Sequence, residues 1–211
     1  MLHGGLWVGL LHADRASEVV DVLSETFFDY PVMRFVLGTH GDYRARLKEL
    51  ITFYVATRIA RNEWLLGVEG PAGLSAAATI SRPGAESPKA VANLRENMWA
   101  SLGPEARSRY ELFAQASAPF EVEQPHLHLG YIGVREDVRG HGLGRGLLEV
   151  VHGVSEMDHS STGVTLTTEV KRNVSLYERF GYEMVGRARV ESSFTTWVFY
   201  RPDGVGGGGT A

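Results

Sequence analysis

The segment Val134-Arg135-Glu136-Asp137-Val138-Arg139-Gly140-His141-Gly142-Leu143-Gly144-Arg145-Gly146 constrains this chain more than any other stretch, because it sets a glycine-rich turn between a strand-like run and an apolar helical run. Glycine reaches positive φ without strain and lets a ligand come close to the backbone. The first amides of a helix have no partner within it, and they lie at the positive end of its dipole. The turn is therefore a cradle for phosphate oxygens. It is not a P-loop, since the lysine is missing, and no register puts glycine at all three places of G-x-G-x-x-G.

Around this unit the chain alternates between strand and helix patterns. Leu6 to Leu11 reads as a strand, followed by a helix through Val19, Val22, Leu23, Thr26 and Phe27. Asp29-Tyr30-Pro31 stops that helix and predicts a loop, because the residue before proline is pushed from helical geometry. Leu47, Leu50, Ile51, Tyr54, Val55, Arg58 and Ile59 then form an amphipathic stripe that reads as core-facing, with Gly41-Asp42 as its start. The runs 63–69 and 74–80 make a hairpin across Gly70-Pro71-Ala72-Gly73.

From Arg82 to Ala118 two helices follow, opened by Ser87-Pro88 and Gly103-Pro104, and this insert is placed over one face of the sheet as a cover for an acceptor, with a plain packing or dimer element as the equal alternative. His126 to Val134 is a strand, Leu143 to Met157 a helix, Val164 to Val170 a strand, and Asn173 to Phe180 a short helix closed by Gly181 with Asn173 as a plausible N-cap. Glu183 to Val190 and Phe194 to Tyr200 are the last strands. The fold class is α/β (α+β), with a mixed central sheet of about seven strands flanked by helices and the insert between the third and fourth. One domain spans 1–203, and the glycine-rich stretch 204–211 reads as a flexible tail.

Composition removes several function classes. With no cysteine, the chain has no disulfide framework, thiolate nucleophile or cysteine-based zinc site. A net charge of -4 gives no basic surface for nucleic acid. No apolar run reaches the length of a membrane helix, and Met1 to Leu11 has no leader pattern, so the expectation is a cytoplasmic protein without a membrane partner. His126-x-His128 with Glu121 or Glu123 could be half a metal site, but further ligands at good spacing are not evident and no metal is expected.

Arg139-x-x-Gly142-x-Gly144 resembles the R/Q-x-x-G-x-G/A signature of the GNAT acetyltransferases, and Asn173-x-x-x-Tyr177 within 172–182 resembles that family's second block. The resemblance implies the GNAT fold, acetyl-CoA as cofactor, and a cofactor site made of Ile132, Gly133 and Val134 beside the pantetheine arm, Arg139, Gly140, His141, Gly142, Leu143, Gly144 and Arg145 at the pyrophosphate, and Asn173 and Tyr177. Phe28-Asp29-Tyr30-Pro31, Tyr131-Ile132-Gly133-Val134, Arg172-Asn173 and 176–181 look like the puromycin N-acetyltransferase group within it. That implies N-acetylation of a small-molecule primary amine, such as an amino-bearing natural product or antibiotic, by a monomer or homodimer. The alternatives are a protein or peptide amine as acceptor, or a non-catalytic acyl-CoA-binding protein.

Attack on a thioester needs a neutral amine, donors for the charge developing on the acyl oxygen, and a proton for the thiolate. Here Tyr177 matches the family's general acid, and the Val134 N–H is expected to meet the oxygen. For the base the sequence offers His128 first and Glu169 second. His126, on the same strand face as His128, joins Tyr30 and Tyr131 as residues expected to line the acceptor site.

Overall fold

A computed structural model of the chain describes residues 2–3, 6–39, 41–70 and 73–204. The strands are β1 (Leu2–His3), β2 (Leu6–Leu10), β3 (Trp64–Gly70), β4 (Gly73–Ser81), β5 (Leu127–Val134), β6 (Gly163–Thr168), β7 (Glu183–Val190) and β8 (Phe194–Pro202). The helices are α1 (Ala16–Thr26), α2 (Pro31–Leu37), α3 (Tyr43–Ala60), α4 (Lys89–Leu102), α5 (Pro104–Ser117), α6 (Leu143–Met157) and α7 (Lys171–Arg179). The sheet runs β1-β2-β3-β4-β5-β6-β8-β7. Among the described residues β5 and β6 pair in parallel, and the other neighbouring strands pair antiparallel. The seven strands read from sequence are all present, and β1 is a two-residue addition at the edge.

Strand alternation divides the core in two. Leu65, Leu74 and Ala77 turn toward α1, α2 and α3, while Leu66, Val68, Ala76, Ala78 and Ile80 turn toward α6. The three consecutive alanines of β4 are fully buried, and their small side chains let both helical layers lie close to the middle of the sheet. The insert joins the α1–α3 layer: Met98, Trp99 and Leu102 of α4 belong to that core, and α5 runs against α2.

Two local expectations are corrected. The break after α1 is confined to 27–30, and the residues from Pro31, expected to continue a loop, form α2. Proline in a first helical turn loses no internal hydrogen bond, and Val32, Met33, Val36 and Leu37 recur at helical spacing on its buried side. Asn173 is not an N-cap either. Helix α7 begins at Lys171 after Val170, so Asn173 lies in the first turn and its side chain is free for another bond. The Gly-rich stretch from 205 and the turn residues Pro71 and Ala72 lie outside the described residues.

Asp42 does cap α3, with its carboxylate accepting the Ala45 N–H at 3.1 Å. Asp42→Ala is expected to cost about 1 kcal/mol, read as a lower urea midpoint at unchanged m-value.

Candidate active site

The parallel pairing of β5 with β6 consists of Leu127↔Val164 and His128↔Thr165. Beyond that point β5 runs on to Val134 and β6 to Thr168, so the two strands part and leave a gap between them. On its other edge β5 stays paired with β4 as far as Val134, with a register shift that leaves Gly130 unmatched. A bulge of this kind bends its strand. The Arg135 N–H donates to Ser75 O at 3.0 Å on β4, so alternation turns the N–H groups of Val134 and Ile132 toward the gap.

One end of the gap meets the glycine turn. Gly140 and Gly142 have φ of 84° and 79°, which L side chains rarely adopt. Gly142 is the N-cap of α6 and supplies no side-chain cap, so the first-turn amides of Leu143, Gly144 and Arg145 have no acceptor from the cap residue. Arg139 is exposed and folds back, Nε donating to Val134 O at 3.4 Å. The His141 ring lies within 3.2 Å of the Val138 and Arg139 carbonyls, and Arg145 pairs with Glu149 at 2.8 Å along the helix. At Gly133 a Cβ would come within 2.9 Å of Thr26 Oγ1, so glycine is what lets α1 pack on this strand. An uncapped helix start with glycines in the left-handed region, opening onto a parted strand edge, fits a diphosphate continued by an extended arm.

The other end opens into a cavity of about 230 Å³ lined by the turn after α1 and by α2, α3 and α5. Of the residues expected there, His128, Glu169, Tyr177, Tyr30 and Tyr131 all line it, with Asn173 and Ile132 beside them. His126 does not. It precedes the first residue of β5, and its ring is held to the Gln124 carbonyl at 2.7 Å, so the shared strand face does not extend to it.

Glu169 is buried, and Thr196 Oγ1 donates to its Oε1 at 2.7 Å. Its backbone N–H donates to the Tyr30 hydroxyl at 3.2 Å, and that hydroxyl lies 3.0 Å from Thr168 Oγ1, which also accepts from Asn173 Nδ2 at 3.2 Å. Tyr30 and Asn173 thus hold the end of β6 that carries the carboxylate. Burial pushes the Glu169 carboxyl up to about 7, against the hydrogen bonds from Thr196 and Tyr30. Burial, with the Glu169 charge second, pushes the Tyr177 phenol up to about 12. His128 goes the other way. Its Nδ1 is 3.0 Å from Thr165 Oγ1, and burial, then the Arg58 charge and His126, push it down to about 4.

Residues that sequence reasoning did not single out also face the cavity: Arg58 and Tyr54 from α3, and Tyr110 and Phe113 from α5. A signal for the first existed, because an arginine within an apolar stripe has no hydrophobic reason to be there. Thr196 carried none, since its contact with Glu169 is made across 27 residues of chain.

Residues 109–184, from α5 to the start of β7, match the family described as acetyltransferase (GNAT) domain. A solved structure described as histone acetyltransferase HPA2 and related acetyltransferase from Corynebacterium glutamicum is 20% identical with a TM-score of 0.71, over 95% of this chain and 98% of that one. Drosophila melanogaster polyamine N-acetyltransferase, which catalyses formation of N-acetylagmatine, is 16% identical with a TM-score of 0.67, over 93% of this chain and 99% of that one. Mosquito arylalkylamine N-acetyltransferase like 5b is 14% identical with a TM-score of 0.56, over 93% and 99%. At such identities the likeness is one of fold. The chain thus has the fold of these N-acetyltransferases, and its residues 109–184 match the family described as acetyltransferase (GNAT) domain.

Proposed function

We propose that the protein is an acetyl-CoA-dependent N-acetyltransferase acting on a primary amine of a small molecule through a ternary complex. The observation that carries this reading is the gap between β5 and β6, which joins an uncapped glycine turn at one end to a cavity lined by Glu169 and Tyr177 at the other. Acetyl-CoA, when bound, supplies an activated acyl group. Leu143, Gly144 and Arg145 would hold its diphosphate with their amides, and the Val134 N–H would pair with its arm.

The residues divide the chemistry by their surroundings. Glu169, poised at about 7, takes the proton of the incoming ammonium group or of the amine as it attacks. His128 at about 4 is too weak a base near neutrality, so the order expected from sequence is reversed, and its role is to bound the acceptor cavity. Tyr177 keeps its proton at every physiological pH and gives it to the departing sulfur. Protonation of Glu169 removes the negative charge that raises the Tyr177 phenol, so the first transfer assists the second. For the acyl oxygen the fixed N–H of Ile132 is the better donor than that of Val134, since Ile132 lines the cavity and Val134 does not. The roof supplied by α5 favours a compact acceptor over a protein lysine. Within that class, the likeness of 28–31 and 172–181 to the puromycin N-acetyltransferases supports an amino-bearing natural product or antibiotic.

Calorimetric titration with coenzyme A tests the cofactor half of the reading. The wild-type chain is expected to bind, and Gly142→Val, which forces a β-branched residue to φ near 79°, to bind at least about tenfold more weakly at a strain of about 1–3 kcal/mol. A wild-type chain that ignores millimolar coenzyme A would sink the assignment. Thiol release from acetyl-CoA across a panel of amines then tests turnover.

A further inference from the structure

The cavity has a second charged end that acyl transfer does not use. Arg58 lines it with a side chain only 15% exposed, and one guanidinium nitrogen pairs with Glu63 at 2.9 Å. Glu63 is completely buried and is shared: Arg61 lies 3.6 Å from its other oxygen, which also accepts the Arg82 N–H at 3.2 Å. Two guanidinium groups therefore face one carboxylate, and the cluster holds a net positive charge beside a largely aromatic chamber. A cation under such cover is costly unless it is balanced.

Among the described residues Glu63 is the one carboxylate against Arg58, and the cavity groups near it add no second negative charge. From α3 and its C-cap come the Tyr54 phenol and Arg61, from β5 Tyr131 and His128, and Tyr110 of α5 lines the same cavity against Tyr54 and Tyr131. The phenols of Tyr54 and Tyr131 stay protonated, since burial raises both, and Tyr110 makes a hydrogen bond with Tyr54. His128 is neutral near pH 7. The cavity's carboxylate, Glu169, lies four residues further along the β6 line than Thr165, the strand partner of His128, which is about 13 Å at the rise of a strand. The chamber is thus basic at the Arg58 end and acidic at the Glu169 end, with rings between.

We infer that the acceptor carries a carboxylate at the opposite end of an aromatic or apolar body from its amine, and that Arg58, with the phenols of Tyr54, Tyr110 and Tyr131, reads that carboxylate. This rests on the acyl-transfer reading for what happens at the amine, but the subsite itself is defined by charge and enclosure. A planar guanidinium can hold a carboxylate by two parallel N–H bonds, and phenols can donate further ones. Size agrees. A cavity of about 150 Å³ holds a benzene ring, so about 230 Å³ has room for a ring with a short substituent at each end.

The test uses 4-(aminomethyl)benzoate and its uncharged counterpart 4-methylbenzylamine, titrated calorimetrically into the whole protein, with coenzyme A titrated separately. Wild type is expected to bind the carboxylate at least about tenfold more tightly than the counterpart, a difference of about 1.4 kcal/mol. Arg58→Gln should abolish that preference. Because it also strips a buried partner from Glu63, Arg58→Lys is measured beside it: the charge opposite Glu63 is kept, the fork is lost, and the preference should fall severalfold. Equal binding of the two probes by wild type, or a preference untouched in both variants, overturns the subsite even where coenzyme A binds normally. Carboxylate binding that depends on Arg58 in a chain that ignores coenzyme A would support the subsite and overturn acyl transfer instead.

Discussion

Glu169→Gln is expected to lower kcat/KM by about 10²–10⁴-fold, the range for loss of a positioned general base. Glutamine keeps the shape and can still accept from Thr196 Oγ1, but it cannot take a proton. The pH profile gives the sharper readout. With the carboxyl raised to about 7, wild-type kcat/KM should climb with pH to a plateau above that value, and the variant should lose this limb. An acidic limb that survives in the variant would transfer the base role to His128 or to water.

Glu169 also couples function to stability. Its folded value of about 7 lies above the ordinary 4.5, so between those two the native state binds more protons than the unfolded chain. Stability from this group is present below about 4.5 and is lost as pH rises through about 7. In Glu169→Gln the urea midpoint should lose that decline. The same burial that makes the carboxyl a base near neutrality costs the fold when it ionises, which ties the two readouts to one cause.

Tyr177→Phe should lower kcat by about 10²–10⁴-fold while the affinity for coenzyme A changes by less than about twofold. The ring stays, and with it the contacts to Tyr182 at 5.7 Å and Phe199 at 5.9 Å, so the unfolding temperature should hold. Since the phenol is raised to about 12, wild type should show no basic limb from this group below about pH 11. Unchanged kcat in a folded variant would remove the acid from the scheme.

The order of elements was legible because each rests on local signals. Period-two runs marked β3 to β8 within a few residues, and Gly142 ended one pattern and opened another because only glycine accepts φ near 79°. The helix after Pro31 was missed because proline both stops one helix and starts the next, and the stop was read alone. At the site, sequence brought Tyr177, Glu169, His128, Tyr30 and Tyr131 to one place, but it ranked His128 above Glu169, against the directions in which burial shifts them, and it included His126, which does not line the cavity. Rank depends on burial, and burial is a property of what packs above a strand, not of the strand.

The chain's own pattern determined the strand, turn and helix sequence, the anion cradle, and the absence of thiol and disulfide chemistry, since these depend on neighbours within a few residues. Tertiary structure alone decided where β5 parts from β6, that Glu169 is buried and bonded by Thr196, and that Arg58 lines a largely aromatic chamber. Each of these is set by contacts between distant segments, where desolvation and packing act on groups that the linear order keeps apart.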